Sequence, residues 1–150
     1  IVVHPQSIIH SMVEFVDGSI KAQLGVPDMH LPIRYALGYP ERLSTDKPGL
    51  SLSQYSNLTF EAPDYQKFPL LQFAFDAIHA GGNMPCILNA ANERGVASFL
   101  NGKIKFTDMP RLVEYTMSHT PLIASPSLED LVATNSEALA VADQWLSNIF

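Results

Sequence analysis

Five histidines and one cysteine are the side chains in this sequence best suited to metal binding or to acid–base and nucleophilic chemistry. The histidines are His4, His10, His30, His79 and His119. His4 and His10 flank Pro5 and do not share a helix face. A metal site built from His4, His10 and His30 remains an alternative, although no carboxylate lies at a supporting spacing.

The usual catalytic sequence motifs are absent. The sequence contains no GxGxxG, GxxxxGK, HExxH, CxxC or GxSxG. Cys86 stands in an apolar stretch, which favours a small core residue over a reactive thiol. Asp46 and Lys47 lie in a polar linker and indicate no chemistry. The residues alone therefore predict no self-contained active site.

Two further residues have both a structural and a functional interpretation. His10 falls on the polar face of a predicted hairpin, where it is either a surface or interface histidine or part of a site. Met29 follows Pro27 and Asp28 at a loop-to-helix corner, where packing is the simplest role. The pattern leaves both alternatives open.

The composition narrows the class of protein. The chain has 150 residues, 47% of them hydrophobic and 16% charged, which suits a folded domain with a sizeable core. A net charge of -6 without a basic run argues against nucleic acid. No apolar stretch is long enough for a transmembrane helix, and no signal peptide is visible. A single cysteine weakly favours a reducing compartment.

The N-terminal residues resemble the middle of a sheet more than a natural terminus. A β-branched run starts at Ile1 without an initiator Met or a polar lead-in. We therefore expect a fragment of a longer protein.

A β-hairpin is predicted within residues 1–25. Asp17-Gly18 is a favoured two-residue turn, since both central positions need a positive φ. This turn pairs Glu14 with Lys21 across the strands. It places Val13, Phe15, Ile20, Ala22 and Leu24 on one face, and His10, Met12, Glu14, Lys21 and Gln23 on the other.

The remaining chain divides into a linker and helices. Residues 28–37 predict a short helix capped by Asp28, and the Pro-rich stretch 38–63 predicts an extended linker. Several antiparallel helices are predicted within 64–150 from their apolar stripes, with Gly81-Gly82 and Gly102 as helix ends. The strings beginning at Ser127 and Thr134 both resemble capping boxes. The expected fold class is α+β: a hairpin at a sheet edge, a linker and a helical bundle.

One set of motifs resembles a known family across nearly the whole chain. HPQSIIHSMV at 4–13 is followed by DGS at 17–19, AQLG at 22–25 and PDM at 27–29. LTFEAPDY at 58–65, LNAANE at 88–93 and KFTD at 105–108 continue the match. The chain is similar to the C-terminal part of the 1-deoxy-D-xylulose 5-phosphate reductoisomerases.

The resemblance implies an NADPH-dependent enzyme that also needs a divalent Mn, Mg or Co ion. Such enzymes convert 1-deoxy-D-xylulose 5-phosphate to 2-C-methyl-D-erythritol 4-phosphate in non-mevalonate isoprenoid synthesis. The family's glycine-rich nucleotide motif and metal-binding Asp-Ser-Glu have no counterpart here, so the fragment is expected to bind neither cofactor and to be inactive. Residues 1–37 would belong to the central catalytic domain and 64–150 to the C-terminal helical domain.

The resemblance also implies roles for three residues. Ser7 and His10 match positions in the pocket wall, and Met29 matches a nicotinamide contact. His30 departs from the Arg or Lys expected at its position, which puts a constant positive charge there in doubt. A homodimer through the sheet edge and a bacterial cytoplasmic location would follow. The alternative from another class is a self-standing, non-catalytic interaction or dimerisation module.

Overall fold

The computed structural model describes residues 1–149, which divide between two compact units. The first is Ile1–Pro63, and the second begins at Asp64. The first unit contains strands β1 (Ile9–Glu14) and β2 (Ile20–Leu24) and helix α1 (His30–Gly38). The second contains helices α2 (Pro69–Ala80), α3 (Met84–Leu100), α4 (Met109–His119) and α5 (Leu128–Ser147). A 3-10 turn, Phe106–Asp108, precedes α4. The expected α+β class is confirmed.

The hairpin forms, but its predicted register is wrong by one residue. Glu14 pairs with Ile20 and Val13 with Lys21. Phe15 N donates to Ser19 O, which leaves a three-residue loop instead of the expected two-residue turn.

The loop chemistry explains the shift. Gly18 takes the left-handed conformation, with φ 81°, and its N–H donates to Phe15 O at 2.9 Å. The Asp17 carboxylate accepts from the Ser19 N–H at 2.9 Å and from its hydroxyl at 2.6 Å. Gly18 and the Asp17 carboxylate both stabilise the three-residue loop. Lys21 consequently lies 5.6 Å from the Phe15 ring centroid, in a cation–π contact.

Helix α1 begins two residues later than predicted. Asp28 is not its N-cap residue, but the Asp28 carboxylate accepts from the His30 N–H at 2.9 Å. The carboxylate thus closes a turn on the first helical residue, as expected of a residue chosen for capping. Residues 39–63 contain no helix and no named strand, and they belong to the same compact unit as the hairpin.

Three of the helices in the second unit, α2, α4 and α5, pack against the fourth, α3. Gly95 faces Met109, the first residue of α4: a Cβ built on Gly95 would lie 3.7 Å from Met109 Cγ, an ordinary packing distance. The centre of the bundle is a fully apolar cluster. Its buried members are Ala91, Ile104, Met109, Leu112, Val113 and Ala142.

Proline, glycine and capping residues set the helix ends much as the sequence predicts. Pro69 occupies the first turn of α2, and Gly81, with φ 67°, follows its last residue. The predicted capping box at Ser127 is confirmed, because Ser127 Oγ accepts from the Asp130 N–H and Asp130 accepts in return.

The second predicted capping box, at Thr134, is wrong. Thr134 lies inside α5 and is buried. Its hydroxyl oxygen accepts from Asn83 Nδ2 at 3.0 Å. The same Nδ2 donates to Pro121 O at 3.1 Å, and Asn83 Oδ1 accepts from Ile123 N at 2.9 Å. Asn83 therefore joins the start of α3, the 121–123 loop and α5 through one buried amide.

No helix among residues 1–149 combines the length and the apolar character that a membrane span requires.

Candidate functional site

Ser7 lies in a tight turn that is held from both sides. Its N–H donates to His4 O at 3.0 Å, and the next residue, Ile8, is completely buried. Ser7 has a φ of 51°, in the left-handed region, although it is not a glycine. Such a conformation costs on the order of 1–2 kcal/mol and persists only where the surroundings impose it. The result is an exposed serine hydroxyl on a constrained backbone.

The surroundings that impose this turn come from residues 59–61. The His4 ring nitrogen Nδ1 lies 2.8 Å from Thr59 O, and the Gln6 amide bonds the Thr59 side chain and N–H. The His4 ring also stacks on Phe60 with centroids 4.7 Å apart. His4 therefore has a structural role, and its contacts hold in place the segment that contains Ser7.

His10 occupies an irregularity in the hairpin. The pairing passes from Ile9 with Leu24 directly to Ser11 with Gln23, which leaves His10 without a cross-strand partner. Such a bulge redirects a side chain and is frequent beside active sites. His10 Nε2 lies 4.0 Å from where a Cβ on Gly25 would be. Gly25 is buried and leaves room for the imidazole, while His10 itself is exposed.

Met29 precedes the first residue of α1, and 71% of its surface is exposed. Both oxygens of the neighbouring Asp28 carboxylate accept hydrogen bonds. Oδ1 accepts from the His30 N–H at 2.9 Å and lies 2.5 Å from His30 Nδ1, whereas Oδ2 accepts from Lys47 Nζ. The Lys47 bond, followed by the His30 amide, holds the pKa of the Asp28 carboxyl well below its ordinary value of 3.8. Asp28 is therefore ionised across the neutral pH range.

A cavity of about 520 Å³ lies between β2, α1 and residues 42–50. Its wall is largely apolar, with cationic groups contributed by Arg34, Arg42 and Lys47. Ser7, His10 and Met29 do not line it. Among the described residues no hydrogen bond joins these three to one another. The predicted site residues are thus each exposed in the first unit, and no hydrogen bond among the described residues connects them.

Metal binding finds no support in the arrangement of ligands. Within residues 1–149 no group of three or more His, Cys, Asp or Glu side chains could hold a metal ion. His4 is bonded to Thr59, and His30 to Asp28. The open alternative of a site formed by His4, His10 and His30 therefore gains nothing from the structure.

Lys47 is the residue that the sequence did not identify. A lysine in a polar linker carries no pattern that points to Asp28, because the two are far apart in the chain. Only Asp28 was detectable, as a capping residue before a helix. Lys47 Nζ also lies 3.2 Å from His30 Nδ1, so Lys47 brings a cation to the corner that His30 occupies.

The chain matches the family described as the DXP reductoisomerase C-terminal domain, over residues 24–141. It is 51% identical over 146 residues to the 1-deoxy-D-xylulose 5-phosphate reductoisomerase of Bacteroides fragilis, covering 97% of this chain and 38% of that protein.

Solved structures agree with the sequence match. The reductoisomerase of Zymomonas mobilis in complex with NADPH has a TM-score of 0.87 and 47% identity, covering 97% of this chain and 38% of the other. A DOX-P reductoisomerase in complex with NADPH, fosmidomycin and magnesium has a TM-score of 0.88 and 37% identity, covering 99% of this chain and 38% of the other. This chain thus spans less than two-fifths of the length of the relatives it matches.

Proposed function

Because this chain belongs to the 1-deoxy-D-xylulose 5-phosphate reductoisomerase family, we propose that it forms the C-terminal part of an NADPH-dependent reductoisomerase. The reaction converts 1-deoxy-D-xylulose 5-phosphate to 2-C-methyl-D-erythritol 4-phosphate in the non-mevalonate isoprenoid pathway. The observation that carries the proposal is the joint agreement of sequence and fold over almost the entire chain.

Ser7, His10 and Met29 are proposed to form one wall of the substrate and cofactor pocket. A constrained hydroxyl at Ser7 can donate to a substrate oxygen, and the exposed imidazole of His10 can hydrogen-bond within a polar pocket. The exposed thioether of Met29 offers a soft apolar surface to a nicotinamide ring. NADPH, when bound, supplies the hydride.

The residues of this chain do not fit the metal. Within the part that the structure describes, no carboxylate and histidine cluster of sufficient size exists. We therefore assign Mn, Mg or Co binding to other residues of the complete enzyme. Ser7, His10 and Met29 would complete the pocket from one side only.

The test is NADPH oxidation in the presence of 1-deoxy-D-xylulose 5-phosphate and magnesium. The 150-residue chain alone is expected to give no turnover, whereas a complete enzyme that contains this C-terminal region should oxidise NADPH. In that enzyme, Ser7→Ala and His10→Ala should lower kcat/KM by at least about tenfold, equivalent to about 1.4 kcal/mol of transition-state binding. The exposed Ser136 provides a matched control as Ser136→Ala.

Two results would contradict the proposal. Turnover by the isolated chain would show that its catalytic groups had been missed. Wild-type kcat/KM in both pocket variants would remove Ser7 and His10 from the site.

A homodimer through the hairpin edge is also proposed. Large apolar side chains of the hairpin are exposed: Met12, Val13, Phe15, Val16, Ile20 and Leu24. Within the described residues β1 and β2 form a sheet of two strands, which leaves backbone groups available for a further strand. A second copy of the chain would satisfy both requirements.

Light scattering at micromolar concentration tests the dimer. The double variant Val13→Lys and Phe15→Lys should shift the mass towards the monomer, while Leu100→Lys, in the other unit, should not. A monomeric wild-type chain would contradict the proposal. The same exposed hairpin would serve the second candidate, a self-standing dimerisation module, and NADPH oxidation by the complete enzyme distinguishes the two.

The proposed location is the bacterial cytoplasm. It is supported by the named bacterial relative and by the lone cysteine, Cys86. Cell fractionation with an antibody against the second unit, called here the helical unit, would test this location, and recovery of the protein from the periplasm would contradict it.

A further inference from the structure

Residues 42–47, called here the return segment, run back along α1. The Arg42 guanidinium lies over the Tyr35 ring, 3.7 Å from its centroid. Arg34 donates to the carbonyl oxygen of Ser44. Both contacts fix the return segment against the middle of the helix.

A third contact reaches the N-terminal end of α1. Lys47 Nζ donates to Asp28 Oδ2, the oxygen that the helix start does not use. Asp28 therefore couples two elements, with one oxygen on the first turn of α1 and the other on the return segment. Met29 lies between Asp28 and His30 in the chain, and 71% of its surface is exposed.

We propose that Lys47, acting through Asp28, is a positioning residue that fixes how Met29 is presented to the nicotinamide ring. The inference rests on the proposed function, because Met29 is a cofactor contact only in that reaction. Met29 itself makes no side-chain hydrogen bond that could orient it, since a thioether is only a weak acceptor. Its direction is set by the backbone of residues 28–30, and that backbone is held by the Asp28 carboxylate.

The contact also brings a permanent positive charge to the corner that His30 occupies. Lys47 lies 3.2 Å from His30 Nδ1 and brings such a charge to the same corner from a distant part of the chain. The expected effect is modest, because the pair is partly exposed, with 51% of the Lys47 side chain and 26% of the Asp28 side chain accessible.

The first experiment reads Met29 directly in the 150-residue chain. In the NMR spectrum of the chain labelled at its methionine methyl groups, each of the five methionines gives one signal. The signal that disappears in Met29→Leu is that of Met29. Lys47→Met should shift the Met29 methyl signal, and Lys47→Arg, which keeps the donor, should restore it. Asp28→Asn should act like Lys47→Met, since an amide can still accept from the His30 N–H but loses the charge that holds Lys47.

The matched control is Lys103→Met. The Lys103 side chain is exposed and belongs to the helical unit, so this variant removes the same charge without affecting the corner. An unchanged Met29 signal in Lys47→Met, or an equal shift in Lys103→Met, would overturn the proposal.

The second experiment measures kinetics in the complete enzyme. Lys47→Met should raise the KM for NADPH about two- to fivefold, the range of an exposed ion pair, with kcat within about twofold of wild type. Lys47→Arg should recover the wild-type KM. A shifted Met29 signal with an unchanged KM would overturn the role in cofactor binding.

The two experiments separate this inference from the proposed function. Failure of the complete wild-type enzyme to oxidise NADPH would refute the function itself. The methyl signal needs no activity and would still decide whether Lys47 positions Met29.

Discussion

Replacing Asn83 by alanine tests whether one buried amide holds three parts of the helical unit together. Asn83 is 1% exposed. Its side chain makes three hydrogen bonds, to Pro121 O at 3.1 Å, to Thr134 Oγ1 at 3.0 Å and from Ile123 N at 2.9 Å. Alanine removes all three and leaves their partners without a replacement from the protein.

The magnitude follows from the number of bonds and from their burial. A hydrogen bond contributes about 0.5–1.5 kcal/mol net, and a partner left buried and unsatisfied costs more. The bonds to Pro121 and Ile123 are only partly buried, so water can replace some of the loss. We therefore expect Asn83→Ala to lower the free energy of unfolding by about 3 kcal/mol. For a unit of about 60–100 residues this corresponds to a fall in Tm of about 12–24 °C.

The assay is urea unfolding followed by tryptophan fluorescence. The sequence has a single tryptophan, Trp145, which packs against the main core cluster of the bundle. The signal therefore reports this unit alone. Asn89→Ala is the control, because Asn89 is exposed and bonds only the Glu93 side chain; its effect should stay within about 0.5 kcal/mol.

A double-mutant cycle sharpens the test. Thr134→Val removes the hydroxyl that Asn83 meets, and the two substitutions together should cost less than the sum of their separate effects. If Asn83→Ala lowered the free energy of unfolding by less than about 1 kcal/mol, the amide would not be the group that joins these elements, and the reasoning would be refuted.

Four further substitutions in the helical unit have defined outcomes. Gly82→Ala should destabilise this unit by more than about 2 kcal/mol, because φ is 58° and an added Cβ would lie 2.2 Å from a backbone carbonyl oxygen. Gly102→Ala, where φ is 69° and the space is open, should cost only about 1–2 kcal/mol. Equal effects of the two substitutions in urea unfolding would contradict the steric argument. Gly95→Ala should instead stabilise α3 by up to about 1 kcal/mol, since the new Cβ meets its nearest neighbour at an ordinary 3.7 Å; a lower Tm would show that this space is needed. Hydrogen bonds from Ser127 lower the pKa of the Asp130 carboxyl below its ordinary value of 3.8. The ionised Asp130 therefore stabilises the folded state above pH 3.8, and this stabilisation is lost as the pH falls through the lower pKa of the folded state. Asp130→Asn should therefore show a smaller loss of Tm than wild type between about pH 5 and pH 2, and parallel Tm curves would contradict this assignment.

Signals that act within a few residues could be interpreted from the sequence. The apolar spacing within residues 64–150 predicted several helices, Pro69 and Gly81 marked helix ends, and Ser127 was identified as a cap. Each depends on the local backbone, where proline fixes φ, glycine permits a positive φ and a serine oxygen reaches an N–H in the next turn. The family resemblance was equally available, because it rests on the order of motifs along the chain.

The hairpin register shows where local reasoning failed. Asp17-Gly18 suits both a two-residue and a three-residue loop, and the two differ by one residue of register. The cross-strand pairing of Glu14 with Lys21 favoured the shorter loop, but the side-chain bonds of Asp17 to Ser19 stabilise the longer one.

The sequence by itself determined the family, the α+β class, the helices and the residues proposed to contact substrate and cofactor. Tertiary structure alone decided that Thr134 is a buried partner of Asn83 and not a cap, and that Lys47 reaches Asp28 beside Met29. The physical reason is distance along the chain. Propensity and capping are set by neighbours within one or two turns, whereas a hydrogen bond between remote residues exists only after folding has brought its donor and acceptor together.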